Sequence, residues 1–197
     1  MAVLNELAGN AVETPPRKKW TRVEIAMLDT TGVLDGQHYE LIDGELVNKM
    51  GKKRRHVRGT SETLDTLKAL FGMKFVEQEA PIDVDPGDNF SNEPEPDVIV
   101  LRRPAGEIGD NPQPSDLALV VEIADTTLRH DRTTKARLYA RAGIVEYWVV
   151  DVDGRRLFAF REPEGGHYRQ ELEFAEADRV YPLESPLNPV AVASLLP

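Results

Sequence analysis

The sequence predicts an α/β domain in which a mixed central β-sheet is flanked by helices, with an N-terminal helix and β-hairpin. Two observations favour this class. Residues 117–124, LALVVEIA, are apolar almost throughout, as in a strand buried on both faces. Segments of helical and strand spacing also follow one another as helix, hairpin, helix, three strands, helix, hairpin, an order that lets helices cover both faces of one sheet.

The N-terminal half contains the first helix, the hairpin and the second helix. Thr21 and Glu24 have the capping-box spacing that starts a short helix. Asp43-Gly44 inside YELIDGELVNKM indicates a tight turn between two strands. Apolar residues recur at helical spacing across residues 56–71, and the alternating segment KFVEQEAPIDVDP then predicts a strand.

The C-terminal half contains the apolar strands, the third helix and a second hairpin. DVIVLRR and LALVVEIA are the two strands. The segment from Asp131 to Ala142 predicts a helix that stops at Gly143, the residue type most common in a left-handed helix cap. EYWVVDV and RRLFAFRE flank Asp153-Gly154 and predict the hairpin. The tail is rich in proline and leucine, and we expect it to pack on the domain edge.

The composition excludes several classes of protein. The 197 residues contain no cysteine, which rules out a disulfide scaffold, a thiolate zinc site and a cysteine nucleophile. No window approaches the roughly 18 apolar residues of a membrane span. The N-terminus also lacks a signal peptide, so we expect a cytoplasmic protein with no membrane partner. We expect residues 1–19 to be a flexible leader and residues 20–197 to be a single domain.

Two carboxylates and one lysine form the candidate catalytic centre. Asp97 starts a buried strand, Glu122 lies inside the most apolar strand, and Lys135 lies on the following helix. An ionised carboxylate in an apolar strand is costly unless a cation or hydrogen-bond donors satisfy it. Two such carboxylates on neighbouring strands would form an oxygen site of the kind that Mg²⁺ prefers. A nearby lysine would position water and offset negative charge on a phosphate.

Several segments resemble one known family. YELIDGELV, EPDVIVL, LALVVEIADTTLRHDRTTKARLYARAGIVEYWVVD and DGRRLFAFR are similar to the Uma-type putative restriction endonucleases of the PD-(D/E)XK nuclease superfamily. The resemblance runs from about Trp20 to the C-terminus, and its most specific part lies between Glu122 and Asp151. It implies a restriction-endonuclease-like core and an endonuclease that uses Mg²⁺ or Mn²⁺ to hydrolyse phosphodiester bonds in DNA.

The resemblance also implies a role for each site residue. Asp97 takes the place of the aspartate in the PD element, and Glu122 that of the second acid. The superfamily's lysine lies two residues after that acid, where this chain has Ala124, and Lys135 on the following helix becomes its substitute. Glu40 in the hairpin matches a recurrent glutamate that completes the metal site. The implied metal ligands are Asp97, Glu122, Glu40 and the backbone carbonyl of Ile123.

One dense basic stretch is the candidate contact for DNA. It precedes the N-terminus of the second helix, where the helix dipole favours phosphate groups, although a solvated loop is the alternative. The candidate DNA-binding residues are Lys52, Lys53, Arg54, Arg55 and Arg58. Because proteins that cut duplexes often act as dimers, we expect a homodimer. No motif indicates a nucleotide cofactor.

Other interpretations stay open at this point. Glu122 is also compatible with a buried salt bridge to Arg137 or Lys135. Asp125 and Asp131 are expected to cap turns and the helix start, and no pair of histidines has zinc-ligand spacing. The net charge of −10 and the alanine at the usual lysine position favour an alternative function, a nuclease-fold binding or regulatory module with little activity. A weaker alternative is a subunit whose negative surface binds a basic protein.

Overall fold

The computed structural model describes residues 16–49 and 53–197. Its helices are α1 (Arg22–Asp29), α2 (Arg54–Phe71), α3 (Leu128–His130) and α4 (Ala136–Arg141), and a π-helical segment, Asp131–Lys135, joins α3 to α4. The strands are β1 (Tyr39–Ile42), β2 (Glu45–Asn48), β3 (Val76–Gln78), β4 (Val98–Leu101), β5 (Leu117–Ala124), β6 (Glu146–Asp151), β7 (Arg156–Glu164), β8 (His167–Ala175), β9 (Arg179–Val180) and β10 (Val190–Ala191).

A six-stranded mixed sheet forms the centre of the fold, in the order β3-β4-β5-β6-β7-β8. Strands β5 and β6 run parallel, and the other neighbours in this sheet run antiparallel. The parallel pair needs a crossover connection, which α3, the π-helical segment and α4 provide. This arrangement confirms the predicted fold class, including the N-terminal helix and hairpin.

Two apolar clusters cover the two faces of the sheet. On one face, Leu67 of α2 packs with Val121 and with the C-terminal segment. On the other face, Tyr139 of α4 packs with Val120 and its neighbours. Because side chains alternate along a strand, Glu122 of β5 projects to the same side as Val120, toward α4.

The β1–β2 hairpin packs beside the segment that leads into β4. Its turn residues Asp43 and Gly44 have φ angles of 46° and 75°, as a two-residue turn with two left-handed residues requires. Leu41 N donates to Glu93 O at 3.2 Å, and Glu93 N donates to Leu41 O at 2.7 Å. These bonds fix the hairpin close to the start of β4.

Several elements differ from the sequence-based expectation, among them the following three. The strand predicted in KFVEQEAPIDVDP is limited to β3, because the backbone beyond it bonds to loops: Ile82 N donates to Pro94 O. The third helix begins at Leu128 rather than at Asp131, so Asp131 lies inside it. Strand β8, which the sequence analysis did not predict, pairs along β7 at the edge of the sheet.

Some of the predictions concern residues that the structure does not describe. They concern residues 1–15 of the predicted leader and Lys52 of the basic stretch. Among the helices that the structure describes, none has the length and apolar content needed to cross a bilayer.

Candidate active site

Strand pairing brings the two predicted acids together. Val98 of β4 lies opposite Val121 of β5, so extending this antiparallel register by one residue places Asp97 opposite Glu122. Both residues are buried, with exposed fractions of 2% and 3%. Two ionised carboxylates on directly opposite residues of neighbouring strands repel each other, and a cation beside them relieves the repulsion.

Lys135 places a positive charge next to the acids. Its Nζ lies 2.7 Å from Glu122 Oε1 and 2.9 Å from Glu40 Oε2, and all three side chains are buried. The hydroxyl of Tyr139 donates a further hydrogen bond of 2.9 Å to Glu122 Oε1. The structure therefore brings Glu40, Glu122 and Lys135 together, and it contains the salt bridge to Lys135 that was considered for Glu122. The other candidate partner, Arg137, is exposed.

Burial and neighbouring charges shift the pKa values of these groups. Burial raises the pKa of Glu122 to about 8, and nearby Asp97 adds to this effect while Lys135 opposes it. Burial alone would also raise the pKa of Glu40, but the positive charges of Lys135 and Lys49 outweigh it and lower that pKa. Burial would lower the pKa of Lys135, but the surrounding carboxylates raise it. Lys135 is therefore a charged ammonium, and Glu122 is the acid that most readily holds a proton.

Asp97 is held by contacts from β5 and α2. Its Oδ2 accepts a hydrogen bond of 2.8 Å from Ile123 N and lies 3.2 Å from His56 Nε2. The helix α2 packs closely on β5 at this point, since a Cβ atom at Gly59 would lie 3.1 Å from Ile123 Cγ2. The close packing fixes the histidine over the carboxylate.

The acids open into one surface cavity of about 130 Å³. Its lining combines acidic, basic and hydroxyl side chains, so that a polar ligand would meet both charges there. The lining residues are Lys49, Lys53, His56, Asp97, Glu122, Ile123, Asp125, Thr126, Thr127, Asp131 and Lys135.

The donor set fits a hard divalent cation that completes its coordination with water and substrate. Asp97 and Glu122 reach the same cavity, and no described residue bonds to Glu122 Oε2. Within residues 16–49 and 53–197, no group of three or more His, Cys, Asp or Glu side chains is arranged to hold a metal by itself. Mg²⁺ commonly binds through one or two carboxylates, waters and substrate phosphates, so the pair is sufficient for this ion.

Comparison with known proteins identifies the family. The family model described as "Uma2: Putative restriction endonuclease" matches residues 27–191. The chain belongs to the Uma2 family. A solved structure described as a putative nuclease belonging to DUF820, from Anabaena variabilis ATCC 29413, is similar in fold, with a TM-score of 0.58. That likeness covers 80% of this chain and 88% of the other at 15% sequence identity, so it supports the fold alone. No curated protein matches the chain.

The described part of the basic stretch in this Uma2 chain lies beside the cavity. Lys53 lines the cavity directly. Arg55 NH2 donates to Asp125 Oδ1 at 2.5 Å, and its NH1 donates to Asp153 Oδ1 at 2.9 Å. Because Asp125 also lines the cavity, Arg55 links the cavity to the surface next to it.

A second cleft, of about 340 Å³, adjoins this surface. Arg54 and Arg58 line it one helical turn apart, together with Arg55 and Arg155. Arg54 and Arg58 are exposed, and neither forms an ion pair with another described residue. Arg55 pairs with Asp125 and Asp153, and Arg155 pairs with Glu176, so the positive charge of the cleft comes from Arg54 and Arg58.

Four residues that line the cavity or contact its acids were not predicted to belong to the site: His56, Asp125, Asp131 and Tyr139. Asp131 was expected at the start of the helix, but it is buried inside it and bonds to the Thr127 hydroxyl. Asp131, Lys135 and Tyr139 are spaced four residues apart, which places them on one helix face and was the available signal for Tyr139. His56 had no such signal, because its contact to Asp97 joins two distant segments.

Proposed function

We propose that this Uma2 chain is a metal-dependent endonuclease that hydrolyses phosphodiester bonds in DNA. The observation that carries the proposal is the position of Asp97 opposite Glu122, with Lys135 Nζ 2.7 Å from Glu122 in the same cavity. Membership of the Uma2 family supports nuclease activity in general. The metal dependence and the substrate are the further parts of this proposal.

The metal ion would supply Lewis acidity and lower the pKa of a bound water. Asp97 and Glu122 would hold Mg²⁺ or Mn²⁺, together with the backbone carbonyl of Ile123, and Glu40 would complete the site from the hairpin. The ammonium of Lys135 would orient the attacking water and stabilise negative charge on the phosphate, as preorganised donors do in a partly dry cavity. Tyr139 keeps Glu122 in position through its 2.9 Å hydrogen bond.

Plasmid cleavage tests the proposed activity. The native protein is incubated with supercoiled DNA and Mg²⁺ or Mn²⁺, with an excess of chelator as the control. We expect nicked and linear products with either metal and none with chelator. Intact plasmid under all conditions, together with no heat of Mn²⁺ binding in calorimetry, would contradict the proposal.

The raised pKa of Glu122 predicts proton release when a metal binds. A pH of 7 is below the pKa of about 8, so the carboxyl of Glu122 is mostly protonated at that pH, whereas a metal ligand must be ionised. We therefore expect release of about one proton per Mn²⁺ at pH 7, falling toward zero near pH 9, and an affinity that rises with pH up to about 8. Calorimetry in buffers of different ionisation enthalpy measures the proton count. No release at pH 7 would show that Lys135 already keeps Glu122 ionised.

The cationic cleft is the proposed docking surface for the DNA backbone. Arg54 and Arg58 are exposed and free of acidic partners among the described residues, and Arg55 connects them to the cavity. Guanidinium groups bind phosphates through paired hydrogen bonds, so exposed arginines beside the cavity fit a polyanion. Lys53 extends this surface to the cavity itself.

The salt dependence of DNA binding tests this surface. We expect the double variant Arg54→Gln/Arg58→Gln to reduce the magnitude of the slope of log binding constant against log salt concentration by about 2. Each lost phosphate contact lowers that slope by about 0.9 on duplex DNA. Fluorescence anisotropy with a short labelled duplex and a chelator measures binding without cleavage. Arg102→Gln/Arg103→Gln is the matched control, because it removes the same charge at the opposite end of β4. Equal slopes for both variants would exclude the cleft.

A nuclease-fold binding module with little activity is the second candidate function. One observation favours it: the Lys135 ammonium lies 2.7 Å from Glu122 and 2.9 Å from Glu40, and so occupies the place where a metal would put its positive charge. In that case Mn²⁺ would not bind and DNA binding would persist without cleavage.

The proposed homodimer is a separate point, which sedimentation velocity of the full chain tests.

A further inference from the structure

A polar groove adjoins the cavity beside the start of the crossover connection between β5 and β6. Its volume is about 380 Å³, and we call it the threonine groove. Two of its lining residues, Thr126 and Thr127, also line the cavity that contains Asp97 and Glu122, so the groove opens directly from that cavity. No carboxylate lines the groove, although the chain as a whole has a net charge of −10. The lining residues are Thr126, Thr127, Arg129, His130, Thr133 and Thr134.

The threonine groove and the cationic cleft belong to elements that cover opposite faces of the central sheet. The arginines of the cleft lie on α2, which packs on one face. Arg129 lies on α3, whose Leu128 packs on the other face. The cavity lies between them at the end of β5, where Asp125 accepts from Arg55 of α2 and the following residue, Thr126, begins the groove. A DNA backbone that leaves the cleft and crosses the cavity therefore reaches the groove.

Arg129 provides a positive charge in the groove that no acid neutralises. Its side chain is exposed and forms no ion pair with another described residue, whereas Arg132 forms an ion pair of 2.5 Å with a glutamate of β8. The hydroxyls of Thr126 and Thr134 also have no hydrogen-bond partner among the described residues. The Thr133 hydroxyl differs, because it donates to Arg129 O at 2.6 Å. A guanidinium with two available hydroxyl donors fits the oxygens of a phosphate.

We propose that the threonine groove binds a phosphate of the DNA backbone on the opposite side of the scissile bond from the cationic cleft. This inference rests on the proposed DNA-cleaving function and adds a second contact surface for that substrate. Arg129 supplies the charge, and Thr126 and Thr134 donate hydrogen bonds to phosphate oxygens. Contacts on both sides of the cavity hold the scissile phosphate against the acids, because a DNA strand held on one side only can swing away from them.

The salt dependence of binding to a labelled duplex in the presence of chelator tests the groove. We expect Arg129→Gln to reduce the magnitude of the slope of log binding constant against log salt concentration by about 0.9, the value of one phosphate contact. The control Arg137→Gln removes the same charge from an exposed position that lines a different cleft, and it should leave the slope unchanged. Combined with Arg54→Gln/Arg58→Gln, Arg129→Gln should give a total reduction of about 2.7, because all three arginines contact one DNA molecule.

Crosslinking locates the DNA independently of the binding energy. The chain contains no cysteine, so a single introduced cysteine can carry a photoreactive group at one defined position. Thr133→Cys places this group in the groove, at an exposed position whose native hydroxyl is already used within the helix. Ser115→Cys, an exposed position just before the other end of β5, is the control. We expect the labelled duplex to crosslink at position 133 and not at position 115.

The outcomes separate this inference from the proposed function. An unchanged slope in Arg129→Gln would overturn the role of the groove and leave the nuclease proposal and the cationic cleft intact. Crosslinking at position 133 that is no stronger than at position 115 would do the same, and this result decides the question if Arg129→Gln fails to fold. A native protein that binds no duplex DNA would overturn the substrate of the proposed function, and this inference with it.

Discussion

Replacing Glu122 by glutamine is expected to abolish metal-dependent DNA cleavage and to weaken Mn²⁺ binding. Glutamine keeps the size of the side chain and can still accept from Lys135 Nζ and the Tyr139 hydroxyl, which now meet at Glu122 Oε1. It removes the negative charge that a divalent cation needs. We expect cleavage to fall by about a thousandfold or more, the scale of a lost charge-stabilising group in an active site. Plasmid nicking rates and Mn²⁺ calorimetry measure the two effects.

Glu146→Gln is the matched control for this change. Glu146 is also a fully buried glutamate on a central strand, but it bonds to Arg161 Nε at 2.9 Å and to Trp148 Nε1 at 3.0 Å, away from the cavity. We expect Glu146→Gln to lower the urea midpoint while Mn²⁺ binding and cleavage persist. Cleavage by Glu122→Gln at the native rate would show that Glu122 is a structural salt-bridge partner and not a metal ligand.

Replacing Lys135 by methionine is expected to stop cleavage while metal binding persists. Methionine fills a similar volume but leaves the carboxylates of Glu122 and Glu40 without their cation. We expect cleavage to fall by about 10²–10³-fold, because the donor that stabilises charge on the phosphate is lost. Mn²⁺ should bind at least as tightly as to the native protein, because the ammonium no longer competes for the acids. Glu122→Gln and Lys135→Met therefore separate metal binding from catalysis.

The same variant should also show a metal-dependent change in stability. Without metal, the unpaired buried carboxylates are expected to lower the free energy of unfolding by about 3 kcal/mol. Added Mn²⁺ should recover this loss, since a ligand that binds the folded state stabilises it in proportion to its affinity. Urea denaturation followed by circular dichroism, with and without Mn²⁺, measures both. Lys74→Met, at an exposed position, is the control. A variant that loses stability without recovery in Mn²⁺ would place Lys135 in a structural role alone.

Local patterns in the sequence were sufficient for the main elements, and they singled out Asp97, Glu122 and Lys135 as candidate site residues. The turn at Asp43-Gly44 and the cap at Thr21 form as predicted, because both depend on neighbouring residues. Glu122 was identified as a candidate because a carboxylate inside an apolar strand carries a desolvation cost wherever the strand lies. Asp97 and Lys135 were identified together with Glu122. The family resemblance indicated that Lys135 takes the place of the lysine that the superfamily has where this chain has Ala124.

The elements that were missed lack such local signals. Strand β8 has only a weak signal of its own: Tyr168, Leu172 and Phe174 fall at alternate positions, but Gln170 interrupts them and the strand is largely exposed. Its strand form comes from backbone bonds to β7. The π-helical turn that carries Asp131 and Lys135 adds one residue per turn without a distinctive sequence pattern.

The sequence by itself determined the fold class and the chemical types at the site, because local spacing, turn residues and desolvation cost act along the chain. The tertiary structure alone decided which groups meet. The β4–β5 register placed Asp97 opposite Glu122, the hairpin brought Glu40 to 2.9 Å from Lys135, and α2 set His56 over Asp97. These contacts join residues far apart in the sequence, and their strength depends on distance and burial, which are defined only when the helices and hairpin pack on the sheet.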